Sequence, residues 1–507
     1  MPKFDLSPPP LGGDDSGVPN ALPEASPPSD VERLERRVRT APQEDTARLI
    51  GEVRDSLDGL RRSGGDTASE ARLLRLLLSL ARRSGKLPDH RHELERATAL
   101  AAGDAEELLE LTALRCEIQM QEGQYEKAES TLRDGLDAAS NLGDDRRARL
   151  LLLLGQVLVH LERYEQAGNL LSGVLPVLEG DGLAGLASTC RFLLGNLALR
   201  RGRNRGANGH HMQALAVRRG LGQAHPICAS LCALGAVERA SGNYPKALEW
   251  LKQAEAEARR AGELADLAYA EYGLGKVYGR LGDYASAAAK LRSSLETRRE
   301  IGDKEGQALC QIAVAENTLE LGQPRPALEE AKEAAFHLSM LSPSGMVGDA
   351  EQLLGRIHLA QKKANEARRH LRTARDLHEK HGDPTAVIFD QAWLLRLALE
   401  WPVRETIEDL VEEIAYFLEH NPYPDLGERL DHVLFRALEK LADKGEIGGR
   451  IERREEYLER AYKAILQKTQ HLDPELRHRF LFQIPENDAI LKTAAERGLG
   501  DSGMRPN

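Results

Sequence analysis

Aromatic residues make up only 4% of the 507-residue sequence, and 3 of them are tryptophan. Ala, Leu, Arg and Glu abound instead, a mixture that suits helices meeting through small side chains. Cysteine is scarce as well. The 5 cysteines are an odd number spread along the chain, which excludes a disulfide framework. No apolar run is long enough to span a bilayer. The longest, Leu150–Val159 and Leu76–Leu80, fall inside amphipathic helical patterns. The opening stretch MPKFDLSPPP has no apolar centre for a secretory signal, so a reducing, cytoplasmic setting is expected. Positive charge is in deficit. A formal net charge of −11 argues against a general nucleic-acid binder and against membrane binding or insertion. Also missing are a Gly-rich phosphate loop followed by Lys-Ser/Thr and any kinase-type catalytic sequence, so no enzyme activity and no cofactor are expected.

What the sequence has is a beat of 40 residues. Alanine recurs at Ala167, Ala207, Ala247, Ala287, Ala327 and Ala367. Twelve residues before each stands a small residue: Gly155, Gly195, Gly235, Gly275, Ala315 and Gly355. A third series closes the units at Gly182, Gly222, Gly262, Gly302 and Gly382. A fixed period of this length predicts a solenoid, one supersecondary unit stacked many times. Within 268–307, Tyr272, Leu274, Val277 and Tyr278 mark a first helix, Leu281-Gly282-Asp283-Tyr284 a turn, and Ala287, Leu291 and Leu295 a second helix. The glycine is expected where the two helices cross opposite the alanine, so that the backbones close up.

The Leu-Gly pair of the first helix, the Gly-x-Tyr turn (Gly123/Tyr125, Gly242/Tyr244, Gly282/Tyr284) and the alanine of the second helix resemble tetratricopeptide repeats of a long, 40-residue kind. Seven units match, from about 109–147 to 348–387. The resemblance implies an all-α fold, a right-handed superhelix of stacked antiparallel helix pairs. The expected organisation is a disordered Pro-rich tail over 1–29, capping or degenerate hairpins over 30–108 and the seven units over 109–387. Degenerate pairs and a C-terminal cap follow over 388–499, then a disordered tail over 500–507. The repeat register is expected to decay after 387. The segment from Glu455-Glu456-Tyr457-Leu458 through Ile490-Leu491 is similar to the closing segment of such regions in bacterial signalling proteins. A regulatory setting follows from that similarity.

Three constellations bear on function. His225-x-x-Cys228-x-x-x-Cys232 has zinc-like spacing, but Cys228 falls where other units carry Ser188, Ala268, Ala308 and Gly348. Packing is therefore the preferred reading and no metal is expected. From Gly182 to Val237 there is no Asp, Glu or Lys, but there are seven arginines. Within that stretch Arg201, Arg203 and Arg205 form a basic patch, Asn204 replaces the turn tyrosine, and His211 replaces leucine. Two readings stand: a drifted repeat, or a mobile joint or anion-binding patch for an acidic partner segment.

The third constellation is the inner wall. If the first helix of each pair lines the concave side, its positions three before, one after and five after the glycine point inward. The partner-binding residues expected on this rule are Gln156, His160, Phe192, Asn196, Arg200, Tyr272, Lys276, Arg280, Glu316, Glu320 and Arg356, with Arg149 and Tyr269 one turn earlier. The family's carboxylate clamp for chaperone tails uses Lys and Asn at the first two positions. Here only Asn196 and Lys276 match, in different units, so that role is not expected. The expected function is a non-catalytic scaffold that binds a peptide or partner domain in its groove. The alternative is a sensor whose superhelix changes pitch when a peptide or effector binds.

Overall fold

The computed structural model describes residues 30–40, 45–64, 66–84, 86–180, 182–222, 224–341, 345–401, 406–421, 425–445 and 449–499. Both tails expected to be disordered, 1–29 and 500–507, lie outside the described residues. The chain divides into two compact units that part after Leu194.

The first unit holds α1 (Asp30–Thr40), α2 (Thr46–Arg62), α3 (Thr67–Arg83), α4 (Arg91–Leu100), α5 (Ala105–Gln121), α6 (Tyr125–Ala138), α7 (Asp144–His160) and α8 (Tyr164–Leu178). It ends within α9 (Ala184–Arg200). The second unit continues with α10 (Asn204–Leu221), α11 (Ala224–Ala240), α12 (Tyr244–Ala261), α13 (Leu264–Arg280), α14 (Tyr284–Glu300), α15 (Lys304–Glu320), α16 (Pro324–Leu341), α17 (Gly345–Ala360) and α18 (Ala364–Lys380). After these come α19 (Pro384–Glu400), α20 (Ile407–His420), α21 (Gly427–Asp443), α22 (Gly449–Glu452), α23 (Arg454–Lys468), α24 (Pro474–His478) and α25 (Pro485–Glu496). No strand occurs among the described residues. The fold is all-α, an α-solenoid of antiparallel helix pairs such as α5/α6, α7/α8, α11/α12, α13/α14, α15/α16 and α17/α18.

The beat has a direct steric cause. A Cβ on Gly155, Gly235, Gly275 or Gly355 would come within 2.5 to 2.6 Å of Leu171, Leu251, Leu291 or Leu371, each on the second helix of its pair. The glycine therefore faces a leucine side chain, with the Ala287 carbonyl 3.2 Å from the Gly275 site, rather than the alanine side chain that the sequence pattern points to. His211 fills the same slot against Gly195 at 2.6 Å. The turn also has a fixed demand. Gly202, Gly242, Gly282 and Gly322 lie at φ 68 to 76°, and where the glycine is missing Glu162 and Lys362 still adopt φ 61 and 59°.

First helices stack on first helices, α11 on α13, α13 on α15, α15 on α17, α17 on α19 and α19 on α21. The register therefore runs one helix beyond residue 387. The C-terminal elements then fold back on the earlier pairs. Ala461, Ile465, Phe480, Leu481, Ile484 and Ile490 share one apolar cluster with Tyr244, Leu248, Leu274 and Leu281. Arg479 Nη1 pairs with Asp283 Oδ1 at 2.7 Å, and a Cβ on Gly282 would meet the Arg479 carbonyl at 3.1 Å.

Candidate functional site

The inner positions of α13, α15, α17 and α19 converge on a cavity in the second unit, with about 140 Å³ open to the centres of water molecules. On the scale of 10–15 Å³ per water, that is room for roughly ten waters or a short ligand segment. The wall built by α15, α17 and α19 carries the apolar residues Ile312, Leu353, Phe389 and Trp393, and Leu426, Leu430 and Val433 at α21 add to the apolar lining. The charged lining is cationic in balance. Arg239, Lys276, Arg280, Arg356, Arg396 and Arg429 face Glu316, Asp349, Asp425 and Glu486.

A ladder of charge at the repeat spacing runs along this wall. Lys276 Nζ lies 2.7 Å from Glu316 Oε2, and Arg356 Nη1 lies 3.1 Å from Glu316 Oε1. Arg356 Nη2 also reaches Glu320 Oε1 at 2.9 Å. The next rung is Arg396. Arg356 and Arg396 hold their guanidinium carbons 5.0 and 5.3 Å from the Trp393 ring centroid, a double cation–π contact. Burial would raise the Glu316 carboxyl, but Lys276, Arg280 and Arg356 outweigh it and hold the group well below the usual carboxylate range. Burial lowers Lys276 from its ordinary value, and Glu316 only partly restores it.

The other wall comes from the C-terminal elements. Asp425 Oδ2 accepts from Arg239 Nη1 at 3.2 Å and lies 3.7 Å from Arg280 Nε. Arg429 reaches Glu320 at 3.6 Å. Glu486 accepts from Arg396 at 2.6 Å and pairs with His432 Nδ1 at 2.8 Å. Burial would raise Asp425 and Glu486, yet the surrounding cations and hydrogen bonds hold both below the ordinary carboxylate range.

Of the residues expected at the groove, Tyr272, Lys276, Arg280, Glu316 and Arg356 line this one cavity. Glu320 adjoins it, shared by Arg356 and Arg429. Tyr269 does not line it, and packs instead against the apolar cluster around Leu274. Asn196 is buried on α9, Arg200 is half-buried at its end, and Arg201, Arg203 and Arg205 are exposed at the turn into α10. In the first unit, Arg149 pairs with Glu117 at 3.0 Å and with Glu110. Gln156 is fully buried there and Phe192 is buried. His160 stacks on Tyr125 at 4.5 Å.

Two arginines of the arginine-rich stretch are held by neighbours in their own unit. Arg191 pairs with Glu179, Arg218 donates to the Pro226 carbonyl at 3.0 Å and to Ser230 Oγ at 2.8 Å, and α10 runs unbroken through Gly206 and Gly209. The five cysteines are buried thiols, and Cys190 donates to the Leu171 carbonyl at 3.3 Å. Burial pushes Cys116, Cys190 and Cys228 up to about 12.

Sequence reasoning missed Trp393 and Arg396, although adding 40 to Arg356 gives Arg396. It also missed Arg239, Asp425, Arg429 and Glu486. Asp425 and Glu486 come from segments outside the register, and no periodic signal leads to them.

Residues 226–300 match the tetratricopeptide repeat family model. No curated protein matches the chain. Among solved structures, BtubC (BKLC) from P. vanneervenii is similar at 22% identity with a TM-score of 0.37, over 42% of this chain and 90% of that one. A Rap protein complexed with Competence and Sporulation Factor is similar at 14% identity with a TM-score of 0.47, over 69% and 99%. A signal transduction ATPase with a tetratricopeptide repeat sensor, from Pyrococcus horikoshii, is similar at 15% identity with a TM-score of 0.42, over 67% of this chain and 52% of that one. Among the described residues no helix is long and apolar enough to cross a membrane. The chain thus carries tetratricopeptide repeats, matched over 226–300, within a helix-pair scaffold.

Proposed function

We propose that the chain is a non-catalytic scaffold that captures a peptide or a segment of a partner protein in the cavity of its second unit. The observation that carries this reading is the meeting, on the partly apolar walls of one cavity, of six cations and four carboxylates supplied by several helix pairs and the C-terminal elements. Such a wall offers directional charge contacts and a surface for an apolar side chain, the two things a peptide segment presents. The charges are paired into ladders rather than poised as an acid–base couple, which favours recognition over turnover. The excess of cations fits an acidic ligand. A regulatory role in a bacterial cytoplasm belongs to the same proposal and follows the resemblance of the 455–491 segment.

The test is a selection of random short peptides on the full chain, repeated with Lys276→Met and Arg356→Met. Peptides selected by the wild type should lose binding to either variant. A wild type that enriches no peptide sinks the reading. Arg201→Glu with Arg203→Glu should leave this binding intact if the exposed arginines form a separate surface.

A sensor is the second reading, and one feature favours it. Arg239–Asp425, Arg429–Glu320 and Arg396–Glu486 bind the C-terminal elements to the repeat helices across the cavity, so a ligand entering there competes with the pairs that close it. Limited proteolysis should then show faster cutting within 421–449 when peptide is bound, whereas a passive scaffold keeps its pattern.

A further inference from the structure

The cavity already holds a carboxylate that the repeat array does not supply. Asp425 precedes α21 and is only 9% exposed. Arg239 Nη1 at 3.2 Å, Arg280 Nε at 3.7 Å and Lys468 Nζ at 3.9 Å surround it. The charges match, but the hydrogen bonding is poor. The Oδ1 atom of Asp425 is buried and accepts no hydrogen bond among the described residues. The Nε atoms of Arg280 and Arg429 are buried and donate none. Guanidinium groups are satisfied best by a carboxylate that can turn to meet two donors at once. The Asp425 carboxylate, on its short tether, reaches Arg280 only at ion-pair distance. The next residue is strained as well. Leu426 lies at φ 63°, a left-handed conformation that leucine seldom adopts, and its side chain joins the apolar wall with Phe389, Trp393 and Val433.

We propose that Asp425 and Leu426 are a built-in stand-in for a ligand, and that the cavity takes a carboxylate-bearing peptide segment with an apolar neighbour, which displaces Asp425 from Arg239 and Arg280. This rests on the peptide-binding reading above and adds the chemistry of the ligand and the contact it must break. A one-for-one exchange keeps the charge of the cavity constant. The incoming carboxylate can orient toward Arg280 and Arg429, and its apolar neighbour can take the place of Leu426. Leaving without replacement would strand Arg239 in a buried site and leave Arg280 with only Glu316 at 4.0 Å, so the closed form is favoured until such a ligand arrives. An internal occupant lowers apparent affinity by the fraction of time the site is open.

Three probes test this on the full chain by calorimetry. One is acetyl-Gly-Leu-Leu with a free carboxyl terminus, the second acetyl-Gly-Asp-Leu-amide, and the third acetyl-Gly-Asn-Leu-amide, which carries no carboxylate. Removing the internal carboxylate with Asp425→Asn should tighten binding of the first or second probe by at least about tenfold. Adding Arg280→Gln should abolish that gain, and the third probe should bind no variant. A gain for the first probe alone identifies a chain terminus as the source of the carboxylate, and a gain for the second alone an acidic side chain. In the wild type, saturation with the better probe should speed hydrogen exchange at the amides of 426–430. A folded Asp425→Asn that binds both acidic probes no more tightly than wild type overturns the proposal. So does wild-type exchange that stays unchanged with probe bound, and this measurement decides alone if the variant does not fold. Binding of neither acidic probe to either protein also overturns it, while the peptide-binding reading is judged separately by the random-peptide selection.

Discussion

The inner positions of the two units share a register and differ in chemistry. In the first unit they are Leu152, Gln156, His160 and Phe192, neutral or apolar, with charge only one turn earlier at Arg149, and Leu152, Gln156 and Phe192 are buried. In the second they include Lys276, Arg280, Glu316, Glu320, Arg356 and, one step further, Arg396, joined into ion pairs around a cavity. The close glycine–leucine approach is the same in both, since a Cβ would come within 2.5 Å of the leucine at Gly155 and 2.6 Å at Gly275. The scaffold is thus indifferent to what the inner face carries. The chemistry lives at positions the repeat pattern leaves open.

The sharpest way to break the comparison is to remove one inner residue from each unit. Glu316→Ala should be severe, because Lys276 loses its carboxylate at 2.7 Å and is left a buried, unbalanced cation, while Arg356 loses one at 3.1 Å and keeps only Glu320. Breaking a buried pair from one side costs about 3–5 kcal/mol. Gln156→Leu should be neutral or stabilising by up to about 1 kcal/mol, since the Gln156 amide nitrogen is buried without a hydrogen bond among the described residues. Urea unfolding followed by circular dichroism measures both. Comparable losses in the two variants would mean that the charge ladder has no special structural standing.

A second pair of substitutions asks whether the scaffold is as uniform as its geometry. Gly155→Ala and Gly275→Ala each drive a Cβ into a leucine, and overpacking of this kind costs about 1–3 kcal/mol. The two losses should agree within about 0.5 kcal/mol if one contact serves both units. Pairing each with its leucine shortened, Leu171→Val or Leu291→Val, should recover part of the loss. A loss confined to one unit would show that the shared spacing hides different tolerances.

The legibility of the sequence follows the same division. Helix pairs, their turns and the closing glycines are written as small residues at fixed intervals, because the helix crossings leave no room for a Cβ and the turns and closing positions favour a left-handed backbone. Lys276, Arg280, Glu316 and Arg356 could be found by counting from the glycine. Arg396 could have been found by counting once more, but the loss of glycine and alanine landmarks after 387 hid the continuing register of a helix that was itself legible. Asp425 and Glu486 had no such route. They reach the cavity because apolar residues such as Phe480 and Ile490 carry the C-terminal helices back onto Tyr244 and its neighbours. Return of a chain end onto a distant helix pair is a tertiary event with no period to reveal it.

Two histidines of the second unit should give stability two opposite dependences on pH. Burial, with Arg218 and His210 adding to it, pushes His211 down to about 3 in the slot that leucine fills elsewhere. The unfolded chain accepts a proton near 6.5 and the folded one refuses it, so this stability is present above pH 6.5 and is lost as pH falls toward 3. His378 has the opposite sign. Burial would lower it, but Asp349 and Asp390 outweigh burial and raise it to about 9. Its Nδ1 sits 2.6 Å from Asp390 Oδ2. That stability is complete below pH 6.5 and disappears as pH rises through 9. Burial raises Asp390 itself, against the pull of His378. At about 1.4 kcal/mol per pKa unit, each limb is worth up to about 3 kcal/mol between pH 4 and pH 10. His211→Leu should flatten the acid limb alone and His378→Gln the alkaline limb alone, in urea midpoints measured from pH 4 to pH 10.

The smallest effect tests whether the two units unfold together. Glu162 in the first unit and Lys362 in the second occupy the same turn place at φ 61 and 59°, where their counterparts are glycine. The left-handed conformation costs a non-glycine residue about 1–2 kcal/mol, and part of the gain from glycine is returned through the freer unfolded chain. Lys362→Gly should therefore stabilise by about 0.5–1 kcal/mol, and Glu162→Gly by the same amount less whatever its side chain contributes. All three tryptophans, Trp250, Trp393 and Trp401, lie in the second unit, so their fluorescence follows that unit while circular dichroism follows both. If the units unfold independently, Glu162→Gly moves the dichroism transition and leaves the fluorescence midpoint in place, whereas Lys362→Gly moves both. If Glu162→Gly shifts the fluorescence midpoint as well, the units unfold as one cooperative body, and the contrast between their inner faces is one of chemistry alone.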